Sequence, residues 1–160
     1  MKLGYVCKYT PIELFEAMGD TVLRLEPQAA DFNRADTMMH PNQCSYAKSV
    51  LEEFMGGGWD GLILTTCCDS IRRLSDVLKD ACPDKFVYLL DLPRKVNDFT
   101  AELYAGRIWA MLEAYAAFSG KSYDEAALTA LLEKKRKESA LSHAPETDQH
   151  RVKVGILGAR

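Results

Sequence analysis

The chain has 160 residues, 48% hydrophobic and 27% charged, with a formal net charge of −3. That length fits one domain with a real buried core. The charge balance argues against nucleic acid or an anionic membrane surface as the main partner, and no apolar run reaches the roughly 18 residues of a transmembrane helix.

The opening "MKLGYVCKYT" carries one short apolar patch, too brief for a signal-peptide core, and predicts a cytoplasmic protein. Residues 2–7 read as a strand. Residues 10–20 read as a helix, with Thr10 as N-cap, Pro11 at the first helical position, Glu13 three residues after the cap and Gly19 at the end. Residues 21–27 alternate like a strand and stop at Pro27. Residues 28–43 are polar, contain "MMHPNQ" and read as a loop with room for a short helical turn.

Residues 44–58 place Ala47, Val50, Leu51 and Phe54 at helical spacing before three glycines. Those glycines follow a helix and precede a strand. That is the reverse of a phosphate loop, so they read as a helix stop and turn. Residues 59–66 form a continuous apolar run, as expected of a strand covered on both faces. Residues 69–82 are an amphipathic helix with Ile71, Leu74, Val77 and Leu78 on one stripe, and 85–93 are a second buried strand.

Long helices follow over 97–120 and 122–141, the second with Ser122 and Glu125 at capping-box spacing. Their apolar stripe serves either a dimer interface or, as is commoner, cover for the sheet. A polar linker (142–150) leads to "RVKVGILGAR" (151–160), which reads either as the start of a second domain or as a last strand of the first. Strand and helix alternate. The expected class is α/β: a Rossmann-like three-layer domain over 1–141 with a mostly parallel sheet, the first of two such domains.

The five cysteines are Cys7, Cys44, Cys67, Cys68 and Cys82. In a reducing compartment they are not a disulfide framework, so metal, cluster or redox chemistry competes with plain burial. In open α/β sheets ligands sit beyond the carboxyl ends of the strands. Cys7 ends the first strand, Cys67 and Cys68 end the 59–66 strand, and Cys44 opens a helix starting at that same edge. Four thiols on one rim, near helix N-termini that favour a thiolate, suit an iron–sulfur cluster. Zinc lacks its usual CxxC knuckle, and adjacent cysteines do not easily share one tetrahedral ion. Cys82, ahead of Pro83, reads as structural, and His40 reads as solvated rather than as a ligand.

Four stretches in order, "GYVCKYTPIELFEAMG", "PNQCSYAKSVLEEF", "DGLILTTCCDSIRRLSDVL" and "FVYLLDLPRK", resemble the N-terminal domain of the 2-hydroxyacyl-CoA dehydratase family. That family includes benzoyl-CoA reductase subunits and double-cubane cluster proteins. The resemblance implies a longer protein with two Rossmann-like domains whose cysteines jointly hold an oxygen-sensitive cluster, [4Fe-4S] or double-cubane. By motif, Cys44 matches the first cluster cysteine and Cys67 or Cys68 the second, with further ligands from outside this chain. The doubled cysteine resembles the double-cubane branch, where Cys7 joins the set.

The resemblance also implies an ATP-dependent iron–sulfur activator as electron donor. The substrate would be an acyl-CoA, dehydrated through a ketyl radical, or another small molecule that is reduced. The assembly would be a homo- or heterodimer. The 160-residue chain alone is expected to be inactive. Two other readings stay open: a non-catalytic binding subunit with idle thiols, and a thiol redox or zinc protein using Cys67 and Cys68.

Overall fold

The computed structural model describes residues 1–95 and 97–141, with backbone alone for 139–141. The expected linker at 142–150 and strand at 151–160 lie outside the described residues. The elements run β1 (Lys2–Tyr5), α1 (Ile12–Ala17), β2 (Thr21–Arg24), α2 (Ala35–Met38), α3 (Ser45–Met55), β3 (Gly61–Thr65), α4 (Asp69–Ala81), β4 (Phe86–Leu90), α5 (Asp98–Ser119) and α6 (Glu125–Leu141). The four strands form one parallel sheet in the order β2-β1-β3-β4. This is the expected Rossmann-like α/β architecture.

Period-two alternation divides the core between two faces. Leu62 and Leu64 of β3 join Val50, Leu51 and Phe54 of α3 and Ile71, Leu74 and Leu78 of α4. Ile63, between them, points the other way. It packs with Leu14 and Phe15 of α1 and with Met111, Leu112 and Tyr115 of α5. Every residue of β3 is buried, as its unbroken apolar run requires. Each fully buried Leu or Ile contributes about 1.5–3 kcal/mol by leaving water, so α4's stripe alone outweighs its weak intrinsic preferences.

Three glycines carry backbone duties. Gly57 and Gly58 take positive φ (109° and 80°) where the chain leaves α3, which makes that triplet the expected helix stop. Gly61 admits β4: a Cβ there would lie 2.7 Å from the Phe86 carbonyl oxygen.

Two expected caps do not form. Thr10 is committed to a tight turn, its N–H donating to the Cys7 carbonyl at 3.0 Å and its carbonyl accepting from Ile12 at 2.9 Å. Its buried hydroxyl has no partner, and Pro11 takes the N-cap position of α1. At α6 the cap is Asp124, whose Oδ1 accepts from the Ala126 N–H at 2.9 Å. This carboxylate lies nearer the helix start than Ser122, and its charge suits a helix N-terminus. At α5, Asn97 and Thr100 form a reciprocal capping box.

Of α5, only Met111, Leu112 and Tyr115 are buried. The helix covers the sheet with its C-terminal half and leaves Phe99 72% exposed. Among the described residues no helix is long and apolar enough to cross a membrane.

Candidate functional site

The strand order creates a topological switch between β1 and β3. The chain leaves β1 through α1 on one face and leaves β3 through α4 on the other. Crevices outside the carboxyl ends of strands at such a point are where α/β folds bind ligands. A cavity of about 490 Å³ opens there, lined by Cys7, Tyr9, Arg24, Tyr46, Cys67 and Leu92 among others. Arg24 and Glu26 form an ion pair of 3.3 Å in its wall.

Cys7 lies two residues past β1 and Cys67 two past β3, so the two flanking strands each deliver one thiol to the cavity. Cys7 is half-buried; Cys44, Cys67 and Cys68 are exposed. Cys68 and Cys44 occupy the N-cap positions of α4 and α3, both in extended backbone. The α3 terminus reaches the same rim, since Tyr46 of its first turn lines the cavity. Cys44 itself is not among the lining residues. Cys82 is buried in the core, as expected of a structural residue. His40 is exposed, its Nδ1 accepting from the Asn42 N–H at 3.2 Å.

Neither N-cap thiol accepts a hydrogen bond from its helix. Ser, Thr, Asp or Asn would recover about 1 kcal/mol at each position. Two caps therefore forgo that stabilisation and present exposed sulfur beside first-turn N–H groups.

The expectation of an easily formed thiolate is not met at Cys67. Partial burial pushes its thiol up, and nearby Cys68 and Cys7 add to the rise, since a second negative charge is disfavoured there. Thr65 acts in the opposite direction.

All five cysteines are free, so the donor set is soft and reduced. Among the described residues no three His, Cys, Asp or Glu side chains converge to hold a single metal ion. A cluster distributes its thiolates over separate irons, so its ligands need no common point. The rim thiols fit such a group as part of a ligand set, with Cys44 standing outside the cavity wall.

Other rim residues escaped the sequence reading. Tyr104 of α5 donates its hydroxyl to the Tyr9 carbonyl at 3.1 Å, and its pKa is raised by burial and by nearby Cys7. Asp91, directly after β4, accepts from the Thr66 hydroxyl at 2.6 Å and pairs with Arg107 at 2.8 Å. The strand-end logic that selects the cysteines also selects Asp91, which stands in "LLDLPRK".

The model of the family described as 2-hydroxyglutaryl-CoA dehydratase, D-component, matches residues 7–147. The chain belongs to this family. No curated protein matches it. Membership agrees with the resemblance carried by the four motifs, and the matched span includes Cys7, Cys44, Cys67 and Cys68.

Proposed function

We propose that this chain is the cluster-binding first domain of a 2-hydroxyacyl-CoA dehydratase or of a related ATP-dependent reductase. The observation that carries this reading is the placement of Cys7 and Cys67 in the wall of one switch-point cavity, together with two further exposed thiols, Cys44 and Cys68, that stand as N-caps of α3 and α4 and do no capping. Cys44, Cys67 and Cys68 are the proposed ligands, with Cys7 joining in a double-cubane arrangement and further ligands coming from outside this chain. A bound iron–sulfur cluster supplies low-potential one-electron chemistry, fed by an ATP-dependent activator.

The chain's own residues bind, orient and exclude water. Cys7 and Cys67, delivered by neighbouring strands, line the same crevice. The apolar wall of Val6, Leu25, Ile71 and Leu92 limits water around them. The cavity takes part of a small substrate such as the acyl portion of an acyl-CoA. A dimeric assembly in the reducing cytoplasm completes the proposal.

The test is anaerobic purification, followed by iron and sulfide analysis of the native protein. Bound iron and sulfide that fall sharply in Cys44→Ala and in Cys67→Ala/Cys68→Ala support the reading. Iron-free protein under strict anaerobiosis sinks it.

A further inference from the structure

We propose that Asp91 is the positioning residue for the Cys67–Cys68 turn. Its carboxylate joins three elements at one point. Oδ1 accepts from the Thr66 hydroxyl at 2.6 Å, in the turn that leaves β3. Oδ2 lies 2.8 Å from Arg107 Nη2 of α5, and Arg107 Nη1 also donates to the Asp91 carbonyl at 3.3 Å. Arg72 of α4 approaches Oδ1 at 3.9 Å while its Nε faces Asp69 at 4.0 Å.

Thr66 is the link to the thiols. It is buried and covalently adjacent to Cys67. Its N–H donates to the Leu90 carbonyl at 3.0 Å, and its hydroxyl oxygen accepts from the Leu92 N–H at 3.0 Å. Thr66 is thus held to the end of β4 through backbone and side chain together. Leu92 and Cys67 both line the cavity, so one bracket sets two parts of its wall. Without the carboxylate, the Arg72 and Arg107 guanidinium groups lose the anion they share, and the Thr66 side chain keeps only one of its two bonds to the end of β4. Cys44, on α3, stands outside this bracket and serves as an internal reference.

The meaning of this role for cluster binding rests on the proposed function; the geometry of the turn does not. The experiment is limited alkylation of the reduced, iron-free native protein with iodoacetamide. The readout is the labelling of the Cys67–Cys68 peptide relative to Cys44 by mass spectrometry. Asp91→Ala and Thr66→Val are each expected to change that ratio about fivefold, the factor carried by one ordinary hydrogen bond. Thr66→Ser keeps the hydroxyl and is expected to leave it unchanged.

An unchanged ratio in both Asp91→Ala and Thr66→Val overturns the inference. So does equal labelling change at Cys44, which marks general loosening. If Asp91→Ala fails to fold, Thr66→Val against Thr66→Ser decides. Iron analysis of the unaltered protein separates the two claims: iron-free protein sinks the cluster reading and leaves the labelling ratio to judge Asp91.

Discussion

Tyr115 donates its hydroxyl to Asp20 Oδ2 at 2.6 Å across 95 residues of sequence, tying α5 to the residue just ahead of β2. The Asp20 side chain is fully buried. It also receives the N-terminal ammonium at 2.7 Å and the ammonium of Lys121. Burial raises its pKa, but the bonds from Lys121, the N-terminus and Tyr115 outweigh it and hold the carboxyl below its ordinary value of 3.8. Burial and the Asp20 carboxylate push the Tyr115 phenol the other way, well up.

Acid stability follows from that site. A depressed carboxyl stabilises the fold above its unfolded pKa, and the contribution fades as pH falls through the folded value. The unaltered protein is expected to lose stability to urea below about pH 4, the unfolded carboxyl range. Asp20→Asn is expected to cost about 1–3 kcal/mol at pH 7 and to show a flatter acid limb. Parallel acid limbs for the two proteins would exclude Asp20 as the titrating group.

Tyr115→Phe removes the hydroxyl and keeps the ring, which packs edge-on against Phe15 and Phe86 with centroids 5.0 and 4.9 Å away. The expected loss is about 1 kcal/mol, and a double-mutant cycle with Asp20→Asn should return most of it as coupling. Strictly additive losses would mean that the bond contributes little.

Gly61 and Gly4 make a graded pair. A Cβ at Gly61 meets the β4 backbone at 2.7 Å, whereas one at Gly4 meets the Leu62 Cδ1 methyl at 3.1 Å. Backbone in a paired strand cannot step aside as a side-chain methyl can. Gly61→Ala is expected to destabilise by about 1–3 kcal/mol and Gly4→Ala by less. Urea midpoints at constant slope decide the order.

Lys135 fastens α6 to α1 through Glu16 at 2.5 Å and Glu13 at 3.4 Å. Burial lowers its pKa, but Glu16 and then Glu13 more than offset this and the net value is raised. Its stabilisation is therefore full below the unfolded lysine value and is lost as pH rises through the folded one. A third of the side chain is exposed, so Lys135→Ala should cost no more than about 1 kcal/mol and the loss should shrink in salt. Faster amide exchange confined to α6 is the expected signature.

The strands, the main helices and the α/β class were legible because each rests on a local signal. Burial on both faces leaves an unbroken apolar run in β3, and one-sided burial leaves a helical stripe in α4. The rim position of the cysteines was legible too, because parallel topology sends every strand end to one edge. The order of the four motifs carried the family. The caps of α1 and α6 differ from the expected ones because capping depends on which acceptor lies nearest the first turn. A neighbouring turn claimed Thr10, and Asp124 displaced Ser122.

By itself, then, the sequence determined the strands and main helices, the layered class, the family and the set of rim thiols. The tertiary structure alone decided which thiols share a cavity. Strand order comes from long-range pairing, and the pairing of β1 with β3 brings Cys7 and Cys67 to one cavity, whose wall Cys44 does not join. It also decided the acidity of Cys67, because partial burial and two neighbouring sulfurs act through space. The Asp91 bracket belongs here as well: Thr66 and Asp91 are 25 residues apart, and only the pairing of β3 with β4 brings the hydroxyl to the carboxylate.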